Sequence, residues 1–129
     1  MLYLALKKGN GRTSVKELVL HIRVPPPFLA KVLQDLSHKG MLTSCKGPRG
    51  GFALARPANH ITLLSVVEAI DGAPFASGCV LGFAECTIAT PCALHSEWSI
   101  IRDRTTAALR NKNLAEMARQ MRKPEYADA

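Results

Sequence analysis

No apolar run in the sequence approaches the ~20 residues that a membrane-spanning helix requires, which argues against a membrane protein of the helical kind. The opening MLYLALKK is too short for a secretion signal and has no cleavage site, so a cytoplasmic protein without membrane association is expected. Four cysteines in 129 residues, three of them clustered, are too few for the disulfide framework of a small secreted domain. There is no glycine-rich nucleotide loop beyond one Gly-Pro-Arg-Gly-Gly turn and no paired nucleophile and base, which argues against an enzyme. Internal repeats and low-complexity tracts are also missing. Acid is scarce in one half of the chain: residues 1–60 hold only Glu17 and Asp35.

That scarcity shapes the charge. The same 60 residues hold ten Lys or Arg, a balance of +8, whereas residues 61–129 hold seven bases and eight acids, a balance of −1. A polyanion-binding half joined to a near-neutral half is the simplest reading. Hydrophobic residues make up 47% of the chain, enough to bury one core in a 14.0 kDa domain.

The local pattern is mostly helical. Residues 2–8 read as an apolar helix broken by Gly9, Asn10 and Gly11. Ser14-Val-Lys-Glu17 fits a capping box opening a helix through about Ile22, with Val15, Leu18, Val19 and Ile22 on one face. Arg23 to Pro26 turn the chain, and Pro26 and Pro27 suit the first turn of a second helix that runs to about Lys39 and stops at Gly40. Its stripe of Leu29, Val32, Leu33 and Leu36 is apolar, and its other face shows Phe28, Lys31, Gln34 and His38. Two short helices around a tight turn describe a helix-turn-helix. Met41–Lys46 and Phe52–Ala55 then read as two strands about a Gly47-Pro-Arg-Gly-Gly51 turn, the wing of a winged helix, with Lys46 and Arg49 near its tip. Lys16, Lys46 and Arg49 are candidate contacts to phosphate or the minor groove, Lys31 and Gln34 are candidates at base edges, Phe28 is a candidate for a thymine methyl, and Pro27 is a further candidate DNA contact. Beyond the wing, Thr62 is expected to cap a helix over Leu63–Asp71 that ends at Gly72. Residues 73–92 lack helical period. A longer helix is expected over about Ala93–Lys112, with a seam at Leu94, Trp98, Ile101, Thr105 and Ala108, and Asn113 with Glu116 marks a last helix start.

The aperiodic loop carries Cys79, Cys86, Cys92 and His95, spaced C-x6-C-x5-C-x2-H. Three thiolates and an imidazole suit an iron–sulfur cluster or tetrahedral zinc. The spacing is wider than the paired C-x2-C knuckles of zinc ribbons and favours an object larger than one zinc ion. Free or oxidation-sensitive thiols remain the plainer alternative. Cys45 stands alone beside the wing and reads as structural.

Ser14-Val-Lys-Glu-Leu18, Phe28-Leu29, Val32-Leu33, Lys46-Gly-Pro-Arg-Gly-Gly-Phe52, Leu54-Ala55, Ile61-Thr62-Leu63, Val67-Glu-Ala-Ile70, the three loop cysteines, His95 and Trp98 stand in a familiar order. On these motifs the chain resembles, over nearly its whole length, the IscR-like (Rrf-two) family of bacterial winged-helix transcription regulators. The resemblance implies a mainly α fold with a small β-hairpin: a winged helix-turn-helix over 1–72, a cluster-binding loop over 73–92, and a dimerisation helix with its tail over 93–129. It implies a homodimer on a palindromic operator in double-stranded DNA, sensing redox state, nitric oxide or iron–sulfur supply. In members with a two-iron cluster the ligands correspond to Cys79, Cys86, Cys92 and His95; a four-iron cluster is the second option. A winged-helix regulator without a cluster, using thiols or zinc or acting constitutively, is the alternative. Three departures from the family pattern stand out: about a dozen residues usually precede the segment matching Met1-Leu-Tyr-Leu4, so a shortened first helix is expected; Ala30 stands where Glu is frequent; and Arg49 replaces a third wing glycine.

Overall fold

The computed structural model describes residues 1–7, 11–72, 79, 81, 89 and 92–121. Its elements in chain order are α1 (Leu2–Leu6), α2 (Val15–His21), α3 (Pro26–His38), β1 (Leu42–Cys45), β2 (Gly51–Leu54), a 3-10 turn (Ala58–His60), α4 (Leu63–Asp71), α5 (His95–Arg110) and α6 (Leu114–Gln120). The fold is mostly helical with one antiparallel hairpin, in register Leu42 with Leu54 and Cys45 with Gly51.

Short-range signals place most helix ends. The Ser14 hydroxyl accepts from the Glu17 amide at 3.1 Å, and Thr62 Oγ1 accepts from Ser65 N at 3.1 Å. Asn113 and Glu116 form a complete capping box, each side chain on the other's backbone N–H. The box expected at Ser14 is only half made. The Glu17 carboxylate is drawn instead to Lys7 Nζ at 2.9 Å and to the Tyr3 hydroxyl at 3.2 Å, which tie α1 to α2. Lys7 holds the Glu17 carboxyl below its ordinary value of 4.5, outweighing the opposing effect of burial. Tyr3 also stacks on His21, with ring centroids 4.9 Å apart.

Several element ends differ from the sequence reading. The first helix stops at Leu6 and the strands are shorter than expected. The long helix spans His95–Arg110 rather than Ala93–Lys112, because residues 112–114 turn back in extended form to pair with residues 61–63. Leu63 N donates to Lys112 O and Leu114 N to Ile61 O, both at 3.0 Å. This returns α6 to α1 and buries Ile61 and Leu114 completely. They join Leu18, Leu29, Leu33, Leu36, Met41 and Leu42 in one core. The seam expected on α5 divides: Trp98 and Thr105 are half-buried, while Leu94, Ile101 and Ala108 are exposed and Thr106 alone is buried.

The wing is anchored by a residue outside it. Thr13, fully buried, exchanges both backbone hydrogen bonds with Phe52, at 2.9 and 2.8 Å. Gly51 permits this approach: its φ is +143°, and a Cβ there would lie 2.5 Å from the Thr13 carbonyl oxygen.

Gly51→Ala is therefore expected to cost about 1–3 kcal/mol through backbone strain and loss of the Thr13 pairing, read as a lower urea midpoint. Gly11→Ala, where an added Cβ meets no described residue within 4 Å and φ is outside the left-handed region, is the neutral control. Glu17→Gln is expected to cost less than about 1 kcal/mol at neutral pH, since the ion pair is partly exposed. Because folding lowers the Glu17 value, its contribution is present above the ordinary carboxylate range and fades as pH falls through the folded value. Stability of the two proteins should thus converge in acid, which paired melts across pH 3–7 would show.

Candidate nucleic-acid interface and cysteine loop

Helix α3 enters through three consecutive prolines, Pro25–Pro27, whose fixed φ suits a helix start. It buries Leu29, Leu33 and Leu36 against the core and leaves Phe28, Lys31, Gln34 and Asp35 outside. Phe28 is 60% exposed, unusual for a large aromatic side chain. The C-terminal end of α3 is tied both to the wing and to α4. Met41 N donates to Leu36 O at 2.9 Å and Ala55 N to Met41 O at 3.1 Å. Lys39 Nζ donates to the Ala69 carbonyl of α4.

Each side chain singled out for DNA contact is exposed: Lys16 on α2, Pro27, Phe28, Lys31 and Gln34 on α3, and Lys46 and Arg49 at the wing. Between the strands, Gly50 N closes the turn on Gly47 O at 2.9 Å. A Cβ on Gly50 would lie 2.3 Å from the Cys45 carbonyl oxygen. The tip is therefore backbone-rich, with Lys46 and Arg49 as its cationic side chains. Among the described residues, none of the exposed bases in this set makes an ion pair, whereas Lys7 is spent on Glu17. Sequence reasoning missed the Thr13 anchor of the wing and the Lys39 link to α4; neither has a local pattern to reveal it.

The loop residues are described only in part. Cys79, Cys92 and His95 are half-buried, and Cys86 lies outside the described residues. His95 N donates to Cys92 O at 3.1 Å, so these two residues flank the tight turn that opens α5. Among the described residues, no three His, Cys, Asp or Glu side chains are grouped so as to hold a metal ion. The thiol and imidazole donor set fits iron–sulfur or zinc chemistry. Cys45 is exposed on β1, away from this group in sequence.

No described helix is long and apolar enough to cross a membrane. Comparison with known proteins agrees with the winged-helix architecture. The chain is 24% identical to the solved structure of CymR, described as the global cysteine regulator of B. subtilis. The two superpose with a TM-score of 0.76 over 93% of this chain and 88% of that one. The IscR of T. potens superposes with a TM-score of 0.71 at 22% identity, over 95% and 84% of the two chains. In sequence the chain is 36% identical, over 102 residues, to a protein of Aquifex aeolicus named as an HTH-type transcriptional regulator, covering 78% of this chain and 70% of that protein. It is 27% identical to the HTH-type transcriptional regulator IscR of Cronobacter sakazakii over 128 residues, 99% of this chain and 78% of the relative. The Rrf2 family, described as "Iron-dependent Transcriptional regulator", matches residues 1–120. With that match across both the winged helix and α6, the chain belongs to the Rrf2 family of transcriptional regulators and is not an enzyme.

Proposed function

We propose that this regulator binds a palindromic operator in double-stranded DNA as a homodimer, and that its cysteine loop holds an iron–sulfur cluster as a sensor. The observation that carries the DNA part is the exposure of all seven candidate contacts on α2, α3 and the wing, within a half of the chain whose net charge is +8. In this reading α3 enters the major groove, with Lys31 and Gln34 at base edges, while Lys16, Lys46 and Arg49 meet phosphates or the minor groove. A two-fold dimer sets its two α3 helices one DNA turn apart, roughly 34 Å. Leu94 and Ile101, seven residues apart and 45% and 54% exposed, support α5 as the pairing surface. Residues 1–72 then read DNA, residues 73–92 sense, and the segment from 93 pairs, with α6 folded back on the DNA-reading part.

Cys79, Cys86, Cys92 and His95 are the residues that would hold the cluster, a two-iron form being favoured. When bound, such a cluster supplies a centre that reacts with oxidants and nitric oxide. The chain's own part is positional. Cys92 and His95 lie at the turn into α5, and Ala69, three residues before Gly72, accepts from Lys39 at the end of α3. In this reading, order in the loop biases the helix that reads DNA through these two ends. A second reading keeps DNA binding and dispenses with the cluster, using thiols or zinc.

Lys46→Ala and Arg49→Ala are each expected to weaken operator binding and to lower the slope of log affinity against log salt by about 1. Unchanged affinity and slope in both would remove the wing from the interface. Protein purified without oxygen is expected to show visible absorption with iron and sulfide in matched amounts, lost in Cys86→Ala. Colourless, iron-free protein that still binds its operator would establish the cluster-free reading.

A further inference from the structure

The first turn of α3 has almost nothing with which to make a hydrogen bond. Pro25 caps the helix without a side-chain bond, and Pro26 and Pro27 occupy its first two positions. Proline has no N–H, so of the backbone donors that a helix start ordinarily presents, Phe28 N–H is the one left before Leu29, whose N–H is spent on Pro25 O at 3.0 Å. This end of α3 therefore lacks the row of amides that grips a phosphate. The side chains agree: Pro26, Pro27 and Phe28 are exposed and apolar, Leu29 is buried, and Ala30 is half-buried. Lys31 is the first residue of the helix with a polar side chain. The helix's one acid, exposed Asp35, comes a turn later still, so the tip's own residues carry no carboxylate to accept from a cytosine amino group.

Recognition helices meet base edges with their N-terminal residues. On the major-groove side, the C5-methyl of thymine is the apolar group that the four bases offer. Resting on the DNA-reading assignment above, we propose that Pro27 and Phe28 form an apolar reading head that selects thymine through its methyl group. The charges that hold the duplex lie elsewhere, on Lys16, Lys46 and Arg49. Discrimination at the tip is thus separated from attachment: it depends on burial of a methyl group and is insensitive to salt, whereas attachment falls as salt rises.

The test uses the full chain. Duplexes that it retains from a random pool define the preferred site, and each thymine of that site is then replaced singly by deoxyuridine, which deletes the methyl and nothing else. The expected result is a loss of about fourfold in affinity at one or two positions of each half-site, constant across salt, with no loss at the others. In Phe28→Ser the thymine and uracil duplexes should bind equally, while Phe28→Leu should keep the preference. Phe28 is mostly exposed, so both changes leave the core intact. If no thymine of the site responds to loss of its methyl group, or if Phe28→Ser responds as fully as the parent, the inference is overturned while the DNA-reading assignment stands. If the chain enriches no sequence at all, the assignment itself falls and the inference with it.

Discussion

Two backbone hydrogen bonds join residues 61–63 to residues 112–114 and close the core around Ile61 and Leu114. They join segments some fifty residues apart and seal Ile61 and Leu114 from water. Burying two such side chains supplies roughly 3–6 kcal/mol of transfer free energy before entropy is set against it. The pairing also sets the position of everything around it. It ends α5 two residues before the sequence period does, starts α6 at its Asn113 cap, and lays α6 against α1. Helix α1 has only five residues and could not persist alone. It is held by α6 on one side and, through Lys7, Tyr3 and Glu17, by α2 on the other.

The candidate DNA-contacting parts depend on a similar economy of anchors. The wing is a two-stranded hairpin, a structure of marginal stability in isolation. Thr13 gives it a third backbone partner, and Met41 links its base to the end of α3. Helix α3 and the wing are thus fixed to each other through a few backbone bonds, and among the described residues their cationic side chains form no ion pair. The exposed tip of α3, Pro26 to Phe28, has the opposite, apolar chemistry.

Much of this was legible from neighbouring residues. The caps at Ser14, Thr62 and Asn113, the Leu29-Leu33-Leu36 stripe, the stop at Gly72 and the glycine turn of the wing depend on residues within about four or seven positions of each other. Glu17 shows where that reasoning stops. Its spacing from Ser14 suits a capping box, but a cation and a phenol from α1 compete for the same carboxylate and win it. The seam on α5 shows a second limit. A period of seven identifies apolar positions without saying which of them face this chain and which face outward, and the fold buried Thr106 while leaving Leu94 and Ile101 exposed.

For the sites the division is the same. Residue types and order along the chain nominate seven candidate DNA contacts and four candidate cysteine-loop ligands, because charge and donor softness are properties of each side chain. The fold decided which cations are spent internally, how the wing is moored, and that the first turn of α3 stands clear of the core. Those outcomes depend on pairings across long stretches of chain, whose closure entropy is met only when many burials form together, and no local spacing encodes them.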